Sequence, residues 1–262
     1  MERRPIGIFD SGVGGLTVLK AIRDRFPDED FIYFGDTARV PYGTKSERTI
    51  IRYSLENARL LRKFNVKLIV VACNTSSSYA LDILEKEMDV PVLGVVKPGA
   101  SAAVKATKTG NIGVIGTEAT IKSGAYRREI LTINPFLKIF EKPCPLFVPL
   151  IEEGWLEDEI TYMVAERYLS EFKNKNIDTL VLGCTHYPLL KNVIGKVCNN
   201  IKLVDSAEET ALETGKIINK VKCTGKGEVR ILVSDMSNRF KKIAEMIMGD
   251  SFSIEEVSVD VC

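Results

Sequence analysis

The stretch KLIVVACNTSSSYAL, residues 67–81, decides how the rest of the chain is read. Five apolar residues, Leu68 to Ala72, stop at a cysteine, and small polar residues follow. A run this short and this evenly apolar suits a parallel strand covered on both faces. The polar residues after it suit a helix start. Cys73 then falls at the carboxyl end of a strand, where open α/β sheets bind their ligands. A second stretch, TLVLGCTHYPLL (179–190), repeats the arrangement around Cys184, with Pro188 suited to an early helical position. It also holds His186, the only histidine in 262 residues.

Working outward, apolar runs alternate with helical patterns almost throughout. IGIF (6–9), FIYF (31–34), LIVVA (68–72), PVLGVV (91–96), IGVI (112–115), LKIF (137–140), LVLG (180–183) and IKLV (201–204) read as strands. Between them, SERTIIRYSLENARLLRKF (46–64) puts Ile51, Leu55, Ala58 and Leu61 on one helical face, with Thr44 and Glu47 as a capping box. This alternation predicts an α/β fold with mainly parallel sheets flanked by helices.

The order then repeats. Ile6 and Ile112, Gly43 of PYG and Gly154 of EEG, Cys73 and Cys184, and Pro91 and Asn200 are each separated by 106 to 111 residues. Four landmarks in one order imply two pseudo-symmetric lobes with the active site in the cleft between them. The first lobe spans 1–97 and carries Cys73; the second spans 98–208 and carries Cys184. The remainder, 209–262, with EVRILVSDMSNRFKKIAEMI at its heart, packs back onto the first lobe as a further strand and helix.

Composition narrows the class. With 45% hydrophobic residues, 27% charged and a net charge of +1, the chain lacks the basic excess that phosphate neutralisation needs, so nucleic acid is not the expected partner. No apolar run approaches the roughly 18 residues that span a bilayer, and Met1–Pro5 is no signal peptide. The expected setting is cytoplasmic, where the six cysteines (73, 144, 184, 198, 223 and 262) are free thiols. They show no metal-ligand spacing, so no metal is expected. Cys144, Cys198, Cys223 and Cys262 read as small buried hydrophobes.

Cys73 and Cys184 call for more. A helix N-terminus lowers a thiol's pKa from about 8.5 towards neutrality, which suits a group that takes and gives protons. Two such thiols facing each other fit inversion of a carbon acid, one sulfur removing a proton from one face while the other delivers one from the opposite face. Reversal exchanges their roles, so a chemically matched pair is wanted.

The motifs FDSGVGGLTVLKAI, FGDTARVPYG, VVACNTSSSYAL, GVIGTEATIKSGAY, VPLIEEG and LGCTHYPLL resemble those of the cofactor-independent aspartate/glutamate racemase superfamily, specifically the glutamate racemases, over essentially the whole chain. The resemblance implies interconversion of L- and D-glutamate without cofactor, supplying D-glutamate for peptidoglycan, in an enzyme that is often a homodimer. It places the acid/base pair at Cys73, which takes the proton from D-glutamate, and Cys184, which takes it from L-glutamate. His186 supports Cys184 and contacts substrate. Asp10 and Ser11 contact substrate, and Asp10 is linked to proton transfer at Cys73. Asp36 and Glu152 are acidic positions tied to the thiols. Pro41, Tyr42, Gly43, Asn74, Thr75, Thr117, Thr120 and Thr185 supply neutral donors that hold a dianion without arginine. Glu118 has no assigned part. The glycines of DSGVGG match neither G-x-G-x-x-G nor a P-loop, so no nucleotide is implied.

Other readings stay open on the residues alone: a racemase of another acidic amino acid such as aspartate, a thiol hydrolase using Cys184, His186 and Asn74, or a binding protein for an acidic ligand.

Overall fold

The apolar runs assemble into two sheets in a computed structural model, which describes residues 4–199, 201–218, 226–249 and 252–259; Cys223 and Cys262 lie outside them. Strands β1 (Ile6–Asp10), β2 (Phe31–Gly35), β3 (Leu68–Val71) and β4 (Val92–Gly94) build the first sheet. Strands β5 (Asn111–Gly116), β6 (Lys138–Pro143), β7 (Thr179–Gly183) and β8 (Lys202–Asp205) build the second. The later strands β9 (Val229–Val233) and β10 (Ile254–Glu256) return to the first. The orders are β10-β9-β2-β1-β3-β4 and β6-β5-β7-β8, and the strand pairings in both sheets are parallel. The order 2-1-3-4 in one sheet and 6-5-7-8 in the other is the repeat that the landmark spacing predicts.

Helices cover both faces of each sheet. They are α1 (Leu16–Arg25), α2 (Glu47–Arg62), α3 (Asn74–Glu87), α4 (Val96–Ala106), α5 (Glu118–Ser123), α6 (Ala125–Ile133), α7 (Phe147–Glu152), α8 (Glu159–Leu169), α9 (Lys191–Cys198), α10 (Ser206–Ile217) and α11 (Asn238–Met248). On one face of the first sheet Ile8, Tyr33 and Val70 meet residues of α1, α10 and α11; on the other Phe9, Phe34 and Val71 meet α2 and α3. In the second sheet Val114 and Val181 meet α4 and α6, while Ile115 and Leu182 meet α7, α8 and α9. Each buried aliphatic side chain contributes about 1.5–3 kcal/mol, against less than about 1 kcal/mol for an exposed ion pair, so these four layers hold the fold. Helix α10, which contains position 208, packs on α1 and on α4. No helix among the described residues is long and apolar enough to cross a membrane.

Local details depart from the sequence reading. Ser46, not Thr44, caps α2, its hydroxyl accepting from the Thr49 N–H at 3.4 Å. Of the expected face of α2, Ala58 and Leu61 are fully buried while Ile51 and Leu55 are only partly so; Ile50, Ser54 and Asn57 complete the buried stripe, because Asn57 is drawn in by polar partners near the site and Ser54 bonds back to the Ile50 carbonyl. The strand expected over 91–96 stops at Gly94, and Val96 begins α4. EEG closes the short helix α7. After Cys184 comes a 3-10 turn, Tyr187–Leu190, so α9 starts only at Lys191.

Candidate active site

Cys73 is the N-cap of α3. Its sulfur accepts from the Ser76 N–H at 3.5 Å and lies 3.9 Å from the Ser11 hydroxyl. The helix start expected here is present, but its effect on the thiol is overruled. Burial, followed by the nearby charge of Asp10, pushes Cys73 up to about 12, and the Ser76 hydrogen bonds offset only part of this. The shift towards neutrality expected from the helix terminus is therefore corrected: a thiol 5% exposed beside a carboxylate holds its proton.

Cys184, 6% exposed, has a different neighbour: His186 Nδ1 lies 3.9 Å from its sulfur. On the far side of the ring, Nε2 stands 3.4 Å from Glu152 Oε1, an ion-pair distance short of a well-formed hydrogen bond. Burial works against a charged imidazole, yet Cys184, Glu152 and Asp10 together outweigh it and raise His186 to about 10. Burial likewise pushes Glu152 up, but the proximity of His186 wins and leaves it lowered. The series Cys184, His186, Glu152 thus carries an imidazolium between a sulfur and a carboxylate.

Asp10 joins the halves. It closes β1 of the first sheet, is fully buried, and accepts from the N–H groups of Gly12 at 3.0 Å and Gly15 at 3.1 Å through Oδ2. Its Oδ1 accepts from the hydroxyl of Thr185, next to Cys184, at 3.3 Å. Burial raises its pKa, against the pull of His186 and these hydrogen bonds. Asp10 therefore faces both sulfur neighbourhoods, and a thiolate at Cys184 would itself add to the raised pKa of Cys73. The close approach depends on glycine. A Cβ at Gly14 would meet Thr185 Oγ1 and His186 Nδ1 at 2.5 Å, and one at Gly43 would meet the Thr117 Cβ at 2.6 Å.

Three hydroxyls form a triangle across the same junction: Thr75 to Thr117 at 3.0 Å, Thr75 to Thr120 at 3.1 Å, and Thr117 to Thr120 at 3.0 Å. Thr117 also caps α5 by accepting from the Thr120 N–H. Asn74 is 2% exposed, and its Nδ2 has no partner among the described residues. In the PYG segment Tyr42 and Gly43 are buried while Pro41 is exposed. Asp36 is fully buried, but its carboxylate is taken up by the Tyr42 hydroxyl, by Arg39 Nε at 2.7 Å and by the Ser234 hydroxyl at 3.0 Å. It anchors the PYG turn from behind. Glu118 is exposed in the first turn of α5.

Several residues of this surround escape a reading of the sequence. Arg39 ties Asp36 to Glu56 and Asn57 and lies over the Tyr53 ring. The Thr17 hydroxyl, which donates to the Gly14 carbonyl at 2.9 Å, also lies 3.3 Å from the Thr185 carbonyl. Tyr126 donates to Asn74 Oδ1 at 2.6 Å. Their partners are distant in the chain, and no local pattern announces them. Among the described residues no cluster of three or more His, Cys, Asp or Glu side chains is arranged to hold a metal ion.

Comparison with known proteins fits this geometry. Residues 16–214 match the family model described as Asp/Glu/Hydantoin racemase. The chain is 52% identical to the glutamate racemase of Persephonella marina over 254 residues, covering 97% of each chain. Two solved structures resemble it over 100% of both chains: glutamate racemase from Francisella tularensis in complex with D-glutamate, at 40% identity and TM-score 0.91, and isoform RacE1 from Bacillus anthracis, at 36% identity and TM-score 0.95. The chain belongs to the Asp/Glu/hydantoin racemase family of isomerases, among its glutamate racemases.

Proposed function

We propose that the protein interconverts L- and D-glutamate by proton transfer at Cα between two thiols, Cys73 and Cys184. One sulfur, as thiolate, removes the α-proton from one face; the other, as thiol, protonates the opposite face. The observation that most supports this is the pairing of two buried thiols at equivalent strand ends of two sheets with the same strand order, Cys73 within the field of Asp10 and Cys184 next to Thr185, which donates to Asp10. The choice of glutamate follows the relatives.

An amino-acid α-proton is a very weak acid beside a thiol, so the carbanion-like state needs preorganised donors in a dry site. The Thr75, Thr117 and Thr120 hydroxyls, the amide of Asn74 and the backbone of Tyr42 and Gly43 are suited to hold the two carboxylates, with Ser11 and Thr185 nearer the sulfurs. Hydroxyls that bond to one another at 3.0–3.1 Å can turn to a carboxylate without leaving a donor idle. Cys73, held as a thiol, is ready to deliver a proton; to act as base it needs the substrate's ammonium nearby to offset Asp10. His186, braced by Glu152, is available to hold the proton or the charge of Cys184, and Asp36 acts at one remove by fixing Tyr42. Because both sulfurs are buried, substrate enters when the lobes, 1–97 with 209–262 and 98–208, move apart.

The product D-glutamate would serve peptidoglycan synthesis in the cytoplasm, and the working form would be a homodimer. Circular dichroism of each glutamate enantiomer tests the activity: ellipticity should decay to zero from either side, far faster than with aspartate, and Cys→Ala at 73 or 184 should abolish the decay. The series Cys184, His186, Glu152 also suits a thiol hydrolase, in which Cys73→Ala would leave turnover intact.

A further inference from the structure

Asn74 opens α3 directly after Cys73, and the fold uses only one end of its amide. Oδ1 accepts from the Tyr126 hydroxyl at 2.6 Å, while Nδ2 is buried with no partner among the described residues. A buried amide nitrogen left unpaired costs about 1–3 kcal/mol, a cost that an arriving acceptor would remove. The neighbouring hydroxyls of Thr75 and Ser76 lie on the same first turn, and Thr75 leads on to the hydroxyl triangle.

Tyr126 is rigidly placed for this contact. It sits in α6 at 1% exposure. Its ring edge packs on Gly183, the residue before Cys184, and its hydroxyl lies over Gly99 of α4 beside Ser206. One side chain therefore reaches from the end of the strand that leads into Cys184 to the helix that follows Cys73. The hydroxyl also has a direction. Ser206 can donate to the tyrosine oxygen, leaving the tyrosine proton for Asn74 Oδ1. The reverse amide orientation would turn a carbonyl oxygen, not an N–H, towards an incoming carboxylate.

We infer that Tyr126 is a positioning residue: by holding Oδ1 it fixes the Asn74 amide so that Nδ2 is presented as a ready donor to a carboxylate of the substrate. This rests on the proposed racemisation of an acidic amino acid. A bond made equally to bound substrate and to the transition state appears in KM rather than kcat. Because the two enantiomers have equal free energies, any loss in kcat/KM must be the same in both directions.

The test is a double-mutant cycle on the full chain, with initial rates by circular dichroism on L- and D-glutamate for wild type, Tyr126→Phe, Asn74→Ala and the double variant. Tyr126→Phe keeps the ring and removes only the hydroxyl. The expected result is a KM about 5–10-fold higher in both directions, the effect of one hydrogen bond, with kcat nearly unchanged. In the Asn74→Ala background the same change should add nothing to KM. An unchanged KM in Tyr126→Phe, or KM effects that multiply in the double variant with a lowered melting temperature, would overturn the inference and leave Tyr126 a packing residue. A wild type inert on glutamate would instead overturn the functional reading, and this inference with it.

Discussion

The backbone of Gly14 lies so close to His186 that a Cβ placed on it would stand 2.5 Å from Nδ1. The ring cannot easily yield, being buried between Cys184 and Glu152. Gly14→Ala should therefore push His186 or the loop out of place and lower kcat/KM by on the order of 100-fold, as misplacement by about 1 Å can. Full activity in that variant, measured by circular dichroism, would mean that this contact between the halves is not needed for turnover.

Much of this was legible in the chain. Leu68–Val71 and Thr179–Gly183 are fully buried strands because nothing in them needs water, and the spacing of Cys73 and Cys184 foretold two sheets of one order. What sequence hid depends on contacts across it. The helix terminus at Cys73 is readable, but the nearby carboxylate of Asp10 that outweighs it comes from the end of another strand. Asn57 and Tyr126 look like ordinary residues of amphipathic helices until their partners, Tyr42 and Asn74, arrive from elsewhere.

Cys73, raised to about 12, should resist alkylation in the free protein. A group of that pKa supplies a thiolate fraction at pH 8 on the order of a thousandfold below that of an ordinary cysteine. Mass spectrometry of the Cys73 peptide after iodoacetamide treatment should show labelling that keeps rising about tenfold per pH unit from pH 7 to 10. A plateau near pH 8 would contradict the assigned burial and charge.

Against its burial, Cys184, Glu152 and Asp10 push His186 from an ordinary value of 6.5 up to about 10 in the folded chain. The folded state thus binds the proton more tightly than the unfolded state, so this contribution to stability is complete below about pH 6.5 and is lost as pH rises towards 10. Wild-type melting temperature should fall more steeply across that window than that of His186→Asn. Parallel curves for the two proteins would remove the case for a buried imidazolium.

Arg39 neutralises two carboxylates behind the PYG turn, Asp36 at 2.7 Å and Glu56. Arg39→Leu leaves the fully buried Asp36 without its cation, while Glu56 keeps Arg52, and breaking a buried pair costs about 3–5 kcal/mol. Chemical denaturation should register a loss of that order, with KM for glutamate raised as Tyr42 loses its anchor. A stability change below about 1 kcal/mol, as for an exposed pair, would show that the network carries little.

The fate of hydrogen at the substrate's Cα tests the two-thiol mechanism most directly. Either enantiomer of glutamate is incubated with the enzyme in deuterated water, and both forms are sampled early in the reaction. Opposed sulfurs predict solvent deuterium at Cα in the newly formed enantiomer and almost none in the enantiomer not yet converted. A product that keeps the substrate's own hydrogen, or equal labelling of both forms, would contradict the account.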